Sequence, residues 1–83
     1  MKNNFKQNIT IDELILKVRS ASKSALKEYD RGSITSAKAY AITALEVFRF
    51  INIYFMKDIE KWDDSYEWLR KETLVDEIYF LTL

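Results

Sequence analysis

The chain contains no cysteine, no histidine and no proline, and only one glycine. Without cysteine there is no disulfide framework and no thiol nucleophile, and with histidine also missing the usual zinc ligands are gone. The lack of histidine removes the side chain whose ordinary pKa suits proton transfer near neutrality, and most acid–base catalysis goes with it. A helical ribonuclease built on an Arg-x-x-x-x-His motif is excluded on the same ground. Net charge is missing as well: 13 Lys and Arg balance 13 Asp and Glu, which argues against a surface that grips phosphate backbones by releasing counterions. The composition therefore predicts no enzyme, no cofactor, no metal site and no nucleic-acid partner.

What is present is 83 residues, 48% hydrophobic and 14% aromatic, enough for one domain around one small core. Residues 1–9 are polar and lack the apolar run of about 7–15 residues of an export signal, so they read as a flexible N-terminus ahead of a single domain over 10–83. The richest apolar stretch, Val47–Met56, is interrupted by Arg49 and Asn52 and falls short of the roughly 20 residues that span a bilayer. A cytoplasmic protein without a membrane span is the expectation.

Apolar spacing specifies helices throughout. Thr10 and Glu13 form a capping box at the start of a helix over about 11–30, in which Ile11, Leu14, Ile15, Val18, Ser22, Ala25, Leu26 and Tyr29 recur every three or four positions. Gly32 ends it and Ser33 or Thr35 begins the next, over about 34–61. Ala37, Ala41, Ala44, Phe48, Ile51 and Phe55 make a seam along that second helix, small at its beginning and bulky at its end. Asp63-Asp-Ser65 marks the boundary of a third, over about 64–81, with Leu81 its last helical position and 78–83 the segment that also fits a short strand or tail. The fold class is therefore all-α, an antiparallel three-helix bundle.

The third helix carries two apolar stripes. Trp68, Leu74, Val75, Ile78, Tyr79 and Leu81 form one, while Trp62, Tyr66, Leu69 and Phe80 project elsewhere. On the second helix Phe50, Ile53 and Met56 fall off the seam. More apolar surface is on offer than three helices of this length hide, and aromatic side chains dominate the anchor positions of protein interfaces. The predicted partner-binding residues are Phe50, Ile53, Met56, Trp62, Tyr66, Leu69 and Phe80, and the predicted function is a non-enzymatic protein–protein interaction module that also self-associates as a homo-oligomer.

Charge is uneven along the chain even though it sums to zero. Residues 1–38 hold eight basic and four acidic side chains, residues 39–83 five and nine, so the halves are +4 and −4. Arg19, Lys23, Lys27 and Arg31 make a basic ridge on the first helix, and Glu60, Asp63, Asp64 and Glu67 an acidic one at the start of the third. These ridges motivate the alternative reading, a small inhibitor protein of the phage anti-CRISPR, antitoxin or immunity type that covers the site of a larger enzyme. Ser20-Ala-Ser-Lys23 has the S-x-x-K spacing of serine acyltransferases, but the companion elements of that chemistry are missing. Acidic pairs such as Asp76/Glu77 lack the turn glycine and spaced oxygens of a calcium loop and read as solvated helix faces.

The segment from Tyr29 to Glu46 places Gly32, then Ala37, then Ala44-Leu45-Glu46 at spacings that resemble the helical hairpin of tetratricopeptide repeats and of microtubule-interacting and trafficking (MIT) domains. The likeness covers residues 25–47. Because tetratricopeptide repeats need about three stacked copies and only one is present, the free-standing MIT bundle is the more similar. This resemblance implies a domain whose grooves take short tails of filament-forming membrane-remodelling subunits. It assigns no individual binding residue.

Overall fold

The computed structural model describes residues 10–55 and 64–83, and every element among them is helical. In chain order these are α1 (Ile11–Asp30), α2 (Ile34–Tyr54), α3 (Asp64–Thr73), α4 (Val75–Ile78) and a closing 3₁₀ turn (Tyr79–Thr82). None of these helices is long and apolar enough to cross a membrane.

The boundaries of α1 follow from its caps. Thr10 is extended and its hydroxyl accepts from the Glu13 backbone N–H at 3.2 Å, while the Glu13 carboxylate accepts from the Thr10 N–H at 3.1 Å; two of the orphan donors of the first turn are thereby satisfied. At the other end Gly32 takes φ +86°, its N–H donates to the Tyr29 carbonyl at 3.0 Å, and the Ser33 N–H donates to the Glu28 carbonyl at 2.9 Å. This pair of bonds is the Schellman arrangement, and glycine occupies its left-handed position because a Cβ there is strained even in open space. Ser33 stands at the N-cap of α2 without a side-chain cap bond.

α1 and α2 are the two long helices, and they pack against each other along their length. The three-residue connection makes them an antiparallel hairpin. From α1 come Leu14, Ile15, Val18, Ser22 and Ala25; from α2 come Ala37, Ala41, Ala44, Phe48 and Ile51. The small residues lie toward the turn, where they permit close approach of the backbones, and the bulky ones lie toward the open end. Ser22 is wholly buried between Val18 and Ala25, and its hydroxyl has no hydrogen-bond partner. An unmade buried hydrogen bond is costly, so Ser22→Ala is expected to raise stability by about 1 kcal/mol. Urea unfolding checks this: a higher midpoint at unchanged slope is the expected result, and a loss above about 0.5 kcal/mol would show that the hydroxyl is satisfied after all.

Two expectations are corrected by the last third of the chain. First, α2 closes at Tyr54 with Phe55 as its C-cap, short of the expected 61; Phe55 is exposed and does not continue the buried seam. The remainder of that expected helix, from Met56 on, lies outside the described residues. Second, the single rod expected over 64–81 is broken at Leu74, which takes the left-handed conformation at φ 62°. α3 ends where the Thr73 hydroxyl donates back to the Leu69 carbonyl at 2.7 Å, and the Glu72 carbonyl accepts from Arg19 Nη1 of α1 at 2.8 Å. A carbonyl that loses its helical partner at such a break needs another donor, and α1 supplies it.

The break changes which side chains face inward. Before it Leu69 and Thr73 are buried with Tyr66 half-buried, a three-and-four spacing; after it Val75, Ile78 and Leu81 are buried, a spacing of three that suits the short helix and the 3₁₀ turn. Trp68 and Tyr79, placed by periodicity on one stripe with Val75, Ile78 and Leu81, are exposed while those three are buried.

Candidate protein-docking surface

Leu16, Ile34, Tyr40 and Trp68 are exposed, and three further features of this packing bear on docking. One is the outward side of α2. Relative to the buried line Ala37–Ala41–Ala44–Phe48–Ile51, a turn of 100° per residue puts Ile42, Glu46, Arg49, Phe50 and Ile53 on the opposite side of the helix. All five are exposed, with Ile42 at 49%, Phe50 at 43% and Ile53 at 57%. A solvated helix face normally carries charged or polar groups at such positions. At the C-terminal end the Phe50 ring lies 4.5 Å from Tyr54 and 6.4 Å from Phe55, so an exposed aromatic cluster crowns the helix.

A groove of about 460 Å³ runs between α2 and the α3–α4 segment. Phe48 and Val75 line its apolar part, and Tyr66, whose ring is 6.1 Å from that of Phe48, forms a wall. Arg70 lies with its guanidinium carbon 5.5 Å from the Tyr66 ring centre and its Nε 3.0 Å from Asp76 Oδ2. The Asn52 amide nitrogen donates to the Phe48 carbonyl at 3.2 Å, which holds this side chain along α2 and leaves its Oδ1 buried without a partner. A third, smaller patch joins Tyr29 at the end of α1 to Phe80 of the 3₁₀ turn, edge to face at 5.1 Å.

The predicted partner-binding residues divide accordingly. Phe50 and Ile53 are exposed on α2, and Phe80 is 46% exposed beside Tyr29. Tyr66 is half-buried in the groove wall. Leu69 is corrected: its side chain is 0% exposed and belongs to the core, on the side of α3 that also buries Thr73 and half-buries Tyr66. Met56 and Trp62 lie outside the described residues.

The charged ridges also resolve residue by residue. Arg19 is engaged with α3 through the Glu72 carbonyl and lies 3.9 Å from the Glu72 carboxylate. Arg31 pairs with Glu28 at 3.2 Å within α1, while Lys23 and Lys27 are exposed. Of the acidic ridge, Glu60 and Asp63 lie outside the described residues, Asp64 opens α3, and Glu67 is 3.8 Å from Lys71 on its own helix. The described ion pair between α1 and α3 thus uses Glu72, which was not among the ridge residues.

Sequence reasoning passed over Ile42, Glu46 and Arg49 on the outward side of α2. The signal was available: these positions with Ile53 step by four, three and four, the spacing of a second seam on the side opposite the first. Comparison with protein-family models, curated proteins and solved structures finds no match to this chain.

Proposed function

We propose that this chain is a non-enzymatic protein-docking module, built on an antiparallel helical bundle, whose partner covers the outward side of α2 and the aromatic cluster at its end. The observation that carries this reading is the exposure of Ile42, Phe50, Ile53, Tyr54 and Phe55 together on one helix. Contiguous exposed apolar patches on small domains mark interaction sites. Each of these side chains contributes little to the fold while uncovered and most of its transfer free energy once a partner removes it from water. The reading as an inhibitor draws on the charged ridges, and here the support is thinner: two of the four basic side chains are already engaged within the chain. Apolar docking predicts binding that depends only weakly on salt, whereas ridge-driven inhibition predicts a steep dependence.

A photoreactive phenylalanine analogue placed at Ile53, in cells that make the protein, tests the reading. The expected result is an adduct of discrete mass containing a polypeptide, with none formed from the same analogue at the exposed, polar position Lys17. Equal labelling from both positions, or none from Ile53, would remove the basis for a docking surface here.

A further inference from the structure

We propose, resting on the docking reading above, that the partner is a second copy of this chain, joined antiparallel along the outward side of α2. That side of α2 is self-complementary about its own middle. A two-fold interface is isologous: if residue i meets residue j of the other copy, then j meets i, so the paired numbers share one sum. On α2, Ile42 with Ile53 and Glu46 with Arg49 both sum to 95. With the two-fold axis between Val47 and Phe48, each Ile42 packs on Ile53 of the partner subunit and each Glu46 meets Arg49 of the partner subunit. One register therefore places apolar on apolar at Ile42/Ile53 and acid on base at Glu46/Arg49, each pair occurring twice.

The other arrangements are disfavoured by the same four residues. A parallel pair sets Glu46 against Glu46 and Arg49 against Arg49, which is repulsive at both levels. Sliding the antiparallel pair by one heptad either way sets Ile42 against Glu46 or Ile53 against Arg49, burying a charge on an aliphatic side chain without a counter-ion. Polar residues at isolated seam positions fix register and orientation in this manner at some cost in affinity. Glu46 and Arg49 are free for the role, since neither makes a hydrogen bond or ion pair among the described residues. The flank of the seam widens where Tyr79 and Leu83, both exposed, border the groove that Ile42, Glu46 and Arg49 also line.

From Ile42 to Ile53 the seam is about 18 Å long, a contact smaller than that of an obligate dimer. The expected dissociation constant is therefore on the order of 1–100 µM. Sedimentation equilibrium of the full chain from about 1 µM to about 1 mM reads it directly. Glu46→Arg sets Arg against Arg across the interface and Arg49→Glu sets Glu against Glu, so each is expected to weaken the dimer at least tenfold. The doubly substituted chain restores both pairs in reverse and is expected to return to within about threefold of the starting affinity. All positions are exposed, and an unchanged melting temperature below the dissociation constant shows that the monomer fold is intact. A chain that stays monomeric at about 1 mM, single variants that dimerise as before, or a double variant that is not rescued would each overturn the proposal. Failure of the dimer is distinguishable from failure of docking: capture of a different polypeptide by the analogue at Ile53 sinks only the second copy, and the absence of any adduct sinks both.

Discussion

Leu69→Ala is expected to cost about 3 kcal/mol of folding stability, and Trp68→Ala, one position earlier and chemically the larger deletion, less than about 1 kcal/mol. Leu69 is 0% exposed and among the largest wholly buried side chains, while Trp68 is 50% exposed. Truncating the leucine removes its transfer free energy and leaves a cavity where α3 meets the hairpin; truncating the tryptophan removes a side chain already half in water and leaves no enclosed cavity. Against a total stability of roughly 4–12 kcal/mol for a chain of this length, the first loss is a large fraction and the second is minor. Urea unfolding of the two variants checks the pair, with the midpoint falling steeply for Leu69→Ala alone. The reverse order would mean that α3 is rotated so that Trp68 points inward, and the exposed tryptophan would then leave the surface altogether.

That contrast shows where the sequence was legible and where it was not. α1 was readable to the residue, because the Thr10–Glu13 box and Gly32 are local signals and both ends of the helix are set by groups within a few positions of each other. The buried line of α2 from Ala37 to Ile51 was readable for a different reason, the regular step of its small and bulky residues. The break at Leu74 has no such local mark. Leucine has no preference for positive φ, no glycine or proline stands nearby, and the Glu72 carbonyl freed there is bound by Arg19, 53 positions away in sequence. Periodicity carried across that break merged two phases into false stripes, which misplaced Trp68, Leu69 and Tyr79 together. The exposed residues of α2 fared better: Phe50 and Ile53 depart from the seam in the sequence itself, and their exposure follows from that alone. Glu46 and Arg49 were passed over because a charged residue on a helix surface is ordinary when taken singly. The proposed pairing of the two rests on a sum of positions, which matters only once the face they share is seen to be exposed.

Ala41→Leu is the second large effect expected, a loss of about 3 kcal/mol, where the same substitution at the exposed Ala39 changes stability by less than about 0.5 kcal/mol. Ala37, Ala41 and Ala44 are each 0% exposed and stand on the side of α2 that meets α1, whose own buried line there includes Ser22 and Ala25. Side chains this small permit close approach of the two backbones, and added methylenes have no room without strained rotamers or a wider hairpin. Helix propensity acts in the opposite direction at neither site, since leucine is nearly as good a helix former as alanine; the difference between the two positions is therefore a measure of packing alone. Chemical denaturation of both variants reads it, and equal stability at the two positions would show that the helices stand further apart than the alanines require. A helix whose inward line is alanine for three of its five buried positions buries little area against its neighbour over that half. The bulky residues Ile42, Phe50 and Ile53 stand on the opposite side of the helix and are exposed.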